Sequence, residues 1–260
     1  AYTRGKNIRE SIWIYENLLE EDIPERTASI QYKLGEAFLM EGRYGEALST
    51  LESCIADHRG NAVAYKARIL ASKIHLRNNE FEKAIKKLKD NLNDIAGNSL
   101  EHRESSLLLA RVHFQNAAML ETESKLKVVE REDPQNDDPA IAAAPPDKDQ
   151  AIDKLKKSHE RFRQSISELE RALTRENSDR ISDKIPTIEY RYLLAEANRR
   201  SATWPRQRSQ RVSFPDDKKG LIEDAIEFYQ KAHGMFGALV DDLGQRDKEE
   251  LTEIESNILR

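Results

Sequence analysis

The feature that most constrains this chain is a repeat of fixed length. Residues 31–57, QYKLGEAFLMEGRYGEALSTLESCIAD, and residues 67–92, ARILASKIHLRNNEFEKAIKKLKDNL, follow one pattern of small and large side chains. Gly35 and Ser72 are 37 positions apart, and so are Ala47 and Ala84. Equal offsets in two successive helical segments imply a unit that recurs as a whole, each unit an antiparallel helix hairpin. The spacing has a packing rationale. Small residues at Gly35 and Ala47 let two backbones approach, while Phe38, Tyr44 and Leu51 fill the space beside them. Gly42 supplies the turn, because it takes a positive φ without steric cost. In the second unit, Ala71-Ser72, His75, Phe81, Ala84 and Leu88 repeat the set, Asn78-Asn79 makes the turn and Asn61 is placed to cap the entering helix.

Composition fits amphipathic helices that each expose a long polar face. Hydrophobic residues are 38% and charged residues 34% of 260, with only 10 glycines and 8 prolines. No alternating Val, Ile and Thr run predicts a strand. A net charge of −5 argues against general nucleic-acid binding. One cysteine rules out an intrachain disulfide and a cysteine-rich metal site, and is compatible with cytoplasm and cell envelope alike. No apolar run reaches the roughly 18 residues that span a membrane.

The rest of the chain reads as hairpins with insertions. Residues 7–20 predict a second helix without its first, with Ile8, Ile12, Tyr15 and Leu19 at helical spacing. Full repeats follow at 28–60 and 61–95. Around 100–120, Leu109, Ala110 and His113 mark a third first helix that runs on to about Glu130. The proline-rich stretch 131–149 reads as a loop, and SISELERAL places Leu169 and Ala172 where a second helix needs them. Residues 100–177 are therefore expected to be one repeat with a lengthened hairpin, an antiparallel coiled-coil hairpin being the alternative. A fourth repeat, 185–243, has Leu194, Ala195 and Asn198 on its first helix and an inserted loop at 201–220. Its second helix offers two registers, Ala225 with Tyr229 or Ala232 with Phe236. Residues 247–260 predict another first helix.

These residues resemble the tetratricopeptide-repeat superfamily. The likeness is best over 28–92 and is extended from there through 100–260. It implies an all-α, right-handed α-solenoid of antiparallel helix hairpins, here with two insertions, forming a fragment of a longer bacterial-type array. It also implies a non-catalytic scaffold whose first helices line a concave groove for a peptide or partner protein, with no cofactor.

The register then names the groove residues: Tyr32, Glu36 and Leu39; Lys66, Ile69, Lys73 and Arg77; Leu107, Arg111 and Phe114; Tyr192, Glu196, Arg199 and Arg200. Their basic stripe suits an acidic peptide through charge-assisted bonds, and equally suits a solvated face. A second candidate is the acid-free run from Arg199 to Phe214. There Arg206, Arg208 and Arg211, with Trp204 and Phe214 between and beside them, could meet nucleic-acid or membrane phosphate, or simply pin an insertion to the solenoid. A third expectation is self-association of the array ends. Cys54 occupies a packing position, and His75 and His113 stand at equivalent sites where an aromatic residue is usual. The six histidines lack zinc-ligand spacing, and no phosphate loop or nucleophile elbow occurs, so no catalytic or metal residue is assigned.

Overall fold

A computed structural model describes residues 7–245 except 22, 98, 130–147 and 177–186. Its helices are α1 (Ile8–Glu20), α2 (Pro24–Glu41), α3 (Tyr44–Asp57), α4 (Ala62–Arg77), α5 (Phe81–Asp94), α6 (Leu100–Val129), α7 (Lys148–Glu176), α8 (Thr187–Ser201), α9 (Thr203–Ser209) and α10 (Pro215–Gly244). Among the described residues there is no strand. The chain is an all-α solenoid of helical repeats, and its contacts gather into two compact units, Ala1–Leu109 and Ala110–Arg260.

In the first unit the repeat appears in atomic detail. A Cβ added at Gly35 would lie 2.8 Å from the Leu51 side chain, so the close approach of α2 and α3 depends on that glycine. Ala47, Leu51 and Cys54 are fully buried there, with Leu34, Ala37 and Phe38 around them. Gly42 ends α2 at φ 83°, with its N–H and that of Arg43 donating to the Leu39 and Phe38 carbonyls. Thirty-seven residues on, Asn79 has φ 59°, and the N–H groups of Asn79 and Glu80 donate to Leu76 and His75. Asparagine tolerates the left-handed region, so the two turns share one geometry. The same offset relates two buried bonds. The Cys54 thiol donates to the Ala28 carbonyl at 3.5 Å, and Asn91 Nδ2 donates to the Tyr65 carbonyl at 3.1 Å. Asn61 caps α4 by accepting the Val63 N–H.

Neighbouring first helices run parallel. Lys66 and Lys73 of α4 reach Glu101 and Glu104 in the first turns of α6, in the same order along both chains. The second helices pair likewise, through Lys87 of α5 and Glu52 of α3 at 2.5 Å.

In the second unit, α6 and α7 form a long antiparallel hairpin sewn by small side chains. Ser165 Oγ donates to the Ala110 carbonyl at 2.9 Å, and Ser158 Oγ to the Ala117 carbonyl at 2.8 Å. Ala110, Ala117 and Ser124 on one helix, and Ser158, Ser165 and Ala172 on the other, recur every seven residues. On α7 these small residues alternate with buried Leu155, Phe162 and Leu169, which are also seven residues apart. Residues 131–147 of the expected loop lie outside the described residues, as does the expected helix at 247–260; Lys148 and Asp149 belong to α7.

The stretch 201–220, expected as an inserted loop, is mostly helical. Ala202, Pro205 and Ser209 are buried, giving α9 an inner face, and α10 begins at Pro215. Pro205 sits in the first turn of α9, where its missing N–H costs no helical bond. Of the two registers for α10, α8 faces the later one: Asn198 Nδ2 lies 3.7 Å from Met235 Sδ, and Tyr192 meets Phe236 edge to face at 5.7 Å. Ala225 is buried as well, on the part of this 30-residue helix that precedes that contact.

Candidate functional site

On the first-helix face of the first unit, packing has left a row of side chains accessible. Lys66, Lys73 and Arg77 of α4 are exposed, Tyr32, Glu36 and Leu39 of α2 are partly exposed, and Met40 beside them is 54% exposed. Burial is the main cause that raises the Tyr32 phenol well above its ordinary range, and its hydrogen bond to Glu36 adds to it. Tyr32 is thus a neutral donor at any working pH.

Two residues expected on this face are in the core instead. Ile69 and Leu107 are 3% and 2% exposed and cannot touch a partner. For Ile69 the reason is visible: it lies between Lys66 and Lys73, whose ammonium groups reach over to α6 and close that strip.

The expected basic stripe is also largely engaged. Lys73 pairs with Glu104 at 2.7 Å, Lys66 with Glu101 at 3.8 Å, and in the second unit Arg111 with Glu189 at 3.1 Å. Lys73 and Arg111 each follow the small residue of their helix, Ser72 and Ala110; Glu104 and Glu189 each stand six residues before theirs, Ala110 and Ala195. The same rule of position therefore joins a first helix to the next in both units. That signal was present in the sequence, but reading each helix alone does not reveal it. Arg77 differs: its guanidinium lies 4.8 Å from the Tyr44 ring centre, and no acid partner is described for it.

The second unit's expected groove residues separate into two groups. Arg200 pairs with Glu121 at 2.6 Å, both side chains largely buried, and stacks over Phe114 at 5.5 Å and Phe162 at 4.9 Å. This cluster holds α6, α7 and α8 together and leaves Arg200 and Phe114 little surface. Tyr192 and Arg199 remain exposed, Arg199 bound to Glu196 of its own helix at 2.6 Å. Arg206, Arg208 and Arg211 are exposed on and after α9, and no acid partner is described for them. Trp204 next to them faces inward, stacked on His159 at 5.5 Å, while Phe214 is 73% exposed.

His159 was not singled out by sequence, yet it is a junction. Its Nδ1 lies 2.8 Å from the Ser201 carbonyl, and its ring meets Trp204 and Phe228, so it touches α8, α9 and α10 from α7. Burial lowers its pKa. The buried Cys54 thiol is pushed up to about 11, chiefly by burial, which makes it a packing group rather than a nucleophile. No described helix is long and apolar enough to cross a membrane.

The family model for the tetratricopeptide repeat matches residues 1–62. Two crystal structures of nearly identical TPR-like repeats of a Podosopora anserina kinesin light chain are 12% identical to this chain. One match covers 80% of this chain and 98% of that one with a TM-score of 0.34; the other covers 79% and 97% with a TM-score of 0.33. No curated protein matches. Residues 1–62 are thus similar to the tetratricopeptide repeat, and the hairpin geometry that begins there recurs 37 residues on.

Proposed function

We propose that this protein is a non-catalytic scaffold that holds a peptide or partner protein on the first-helix face of its first unit. Tetratricopeptide repeats generally mediate protein–protein interaction, and proteins built from them are typically non-catalytic. The observation that carries the reading is the accessible row of Tyr32, Leu39, Met40, Lys66, Lys73 and Arg77, drawn from two neighbouring first helices. Apolar side chains there can bury a partner's anchor, and the cations can take its carboxylates. Arg77 is available at once. Lys73 can exchange partners at small cost, because a half-exposed ion pair such as Lys73–Glu104 contributes only about 0–1 kcal/mol. An acidic segment in extended or helical form suits this surface best.

The test is titration calorimetry with a peptide selected from a random library for binding to the chain. Lys73→Glu with Arg77→Glu should weaken an acidic peptide by at least about tenfold, near 1.4 kcal/mol. Unchanged affinity would overturn the reading.

A second reading is supported by the three exposed arginines of α9 and its exit. Arg206, Arg208 and Arg211 have no described acid partner, in contrast to Lys73 and Arg111, so they suit a nucleic-acid or membrane phosphate. This reading expects binding of a short single-stranded DNA, or of phosphatidylserine vesicles, that falls steeply with salt and disappears when the three become Ala. No binding at low salt would remove it.

A further inference from the structure

Where α9 ends and α10 begins, the second unit sets its most exposed large apolar side chain, among the described residues, beside cations. Phe214, at the N-cap of α10, is 73% exposed. Lys218, Ile222 and Ile226 follow it in steps of four residues and form one ridge along the helix, the two isoleucines 40% and 48% exposed. This ridge precedes the level at which α10 meets α8 through Tyr192 and Phe236, so the hairpin contact does not use it. An apolar ridge left bare in this way marks a contact surface.

The charge beside the ridge is positive. Residues 203–222 hold five cations, Arg206, Arg208, Arg211, Lys218 and Lys219, against two acids, Asp216 and Asp217, a net of +3 in a chain of −5. All five cations are exposed, and only Lys219 has a described acid partner, Glu223 at 3.8 Å. Asp216, Glu223 and Glu227 stand at i, i+7 and i+11, on a different side of α10 from the ridge. Unpaired cations next to bare aromatic and aliphatic side chains have the make-up of a lipid-interface contact. There the cations meet headgroup phosphates and carboxylates, while the apolar side chains enter the boundary beneath them.

We infer that this end of the second unit binds the surface of an anionic lipid bilayer, with Phe214, Ile222 and Ile226 entering the headgroup boundary and Arg208, Arg211 and Lys218 holding lipid phosphates. This rests on the phosphate-binding reading of Arg206, Arg208 and Arg211 and chooses between its two partners. A nucleic-acid strand is held by cations and by aromatic rings on which its bases stack, and it gains nothing from two exposed isoleucines. Trp204, the largest ring in the run, is already stacked on His159. A bilayer surface has a use for each exposed group of the ridge and for the cations beside it.

The test is sedimentation of the whole chain with phosphatidylcholine vesicles, with and without phosphatidylserine, alongside its binding to a short single-stranded DNA. The chain should sediment with the phosphatidylserine vesicles and bind the DNA more weakly. Phe214→Ser with Ile222→Ser should weaken the vesicle binding by at least about tenfold and leave the DNA binding and the Tm as they were. Both positions are exposed, and serine is favoured at an N-cap, so the variant keeps its fold. Vesicle binding indifferent to the two serines would overturn the inference while the phosphate reading stands on its arginines. DNA bound in preference to the vesicles would also overturn it, and would leave that reading its nucleic-acid form. Equal binding to vesicles without phosphatidylserine would overturn it too, and no binding of either partner at low salt would remove both the inference and the reading beneath it.

Discussion

Gly35 and Gly42 do different things, and substitution separates them. At Gly35 a methyl group would meet Leu51 at 2.8 Å, so Gly35→Ala must push α2 and α3 apart, at a cost of about 1–3 kcal/mol. At Gly42 a methyl group meets nothing within 4 Å, but φ is 83°, so Gly42→Ala pays a backbone cost of about 1–2 kcal/mol. Asn79 occupies the equivalent turn at φ 59°, and Asn79→Gly should change stability by less than about 0.5 kcal/mol. Urea denaturation of the three variants checks this ordering; a Gly42→Ala variant as stable as the parent would contradict it. Both glycine roles were legible in the sequence because they depend on local pattern. The burial of Ile69 and Leu107 was not, since it depends on how closely the neighbouring first helices lie, a distance that no pattern within one helix encodes.

Between elements, His159 is the most telling contact. Burial lowers its pKa below the 6.5 of an exposed imidazole, so the folded protein keeps the ring neutral in a pH range where the unfolded chain binds a proton. Stability is therefore complete above about pH 6.5 and falls as the pH drops below it through the folded value. Thermal melts at pH 7.5 and pH 5 should show a drop that His159→Phe reduces; an equal drop in both proteins would refute the assignment. The ion pairs between first helices belong to this scale too. A double-mutant cycle on Lys73 and Glu104 should give a coupling below about 1 kcal/mol, because both side chains are nearly half exposed. Such pairs fix which helix lies beside which more than they hold the fold together. The hairpin of α6 and α7 illustrates a limit of sequence reading. On α7, buried Leu155, Phe162 and Leu169 recur every seven residues and alternate with Ser158, Ser165 and Ala172, so a search for large apolar side chains finds only half of the seam. The helical character of 203–209 was hidden for a related reason: Pro205 and a run of arginines look like a loop until Ala202 and Ser209 are seen to be buried.

For the molecule as a whole, the repeat turns a short pattern into a surface. Stacking consumes most of the small and apolar positions of α2–α5, so what remains accessible on α2 and α4 is set by the residues that stacking does not use. Tyr32, Leu39, Lys66, Lys73 and Arg77, which the register names where the repeat is uninterrupted, are exposed or partly exposed. Beyond Leu109 the insertions shift the register, and Arg200 and Phe114 proved to be internal supports of the second unit. The most direct measurement is photo-crosslinking of a selected peptide to the chain, with p-benzoylphenylalanine placed in turn at Tyr32, Lys73 and Arg77 on the first helices, and at Lys86 and Lys89 on the exposed side of α5. The account predicts adducts at the first three positions and none at the last two. Adducts confined to Lys86 and Lys89 would contradict it.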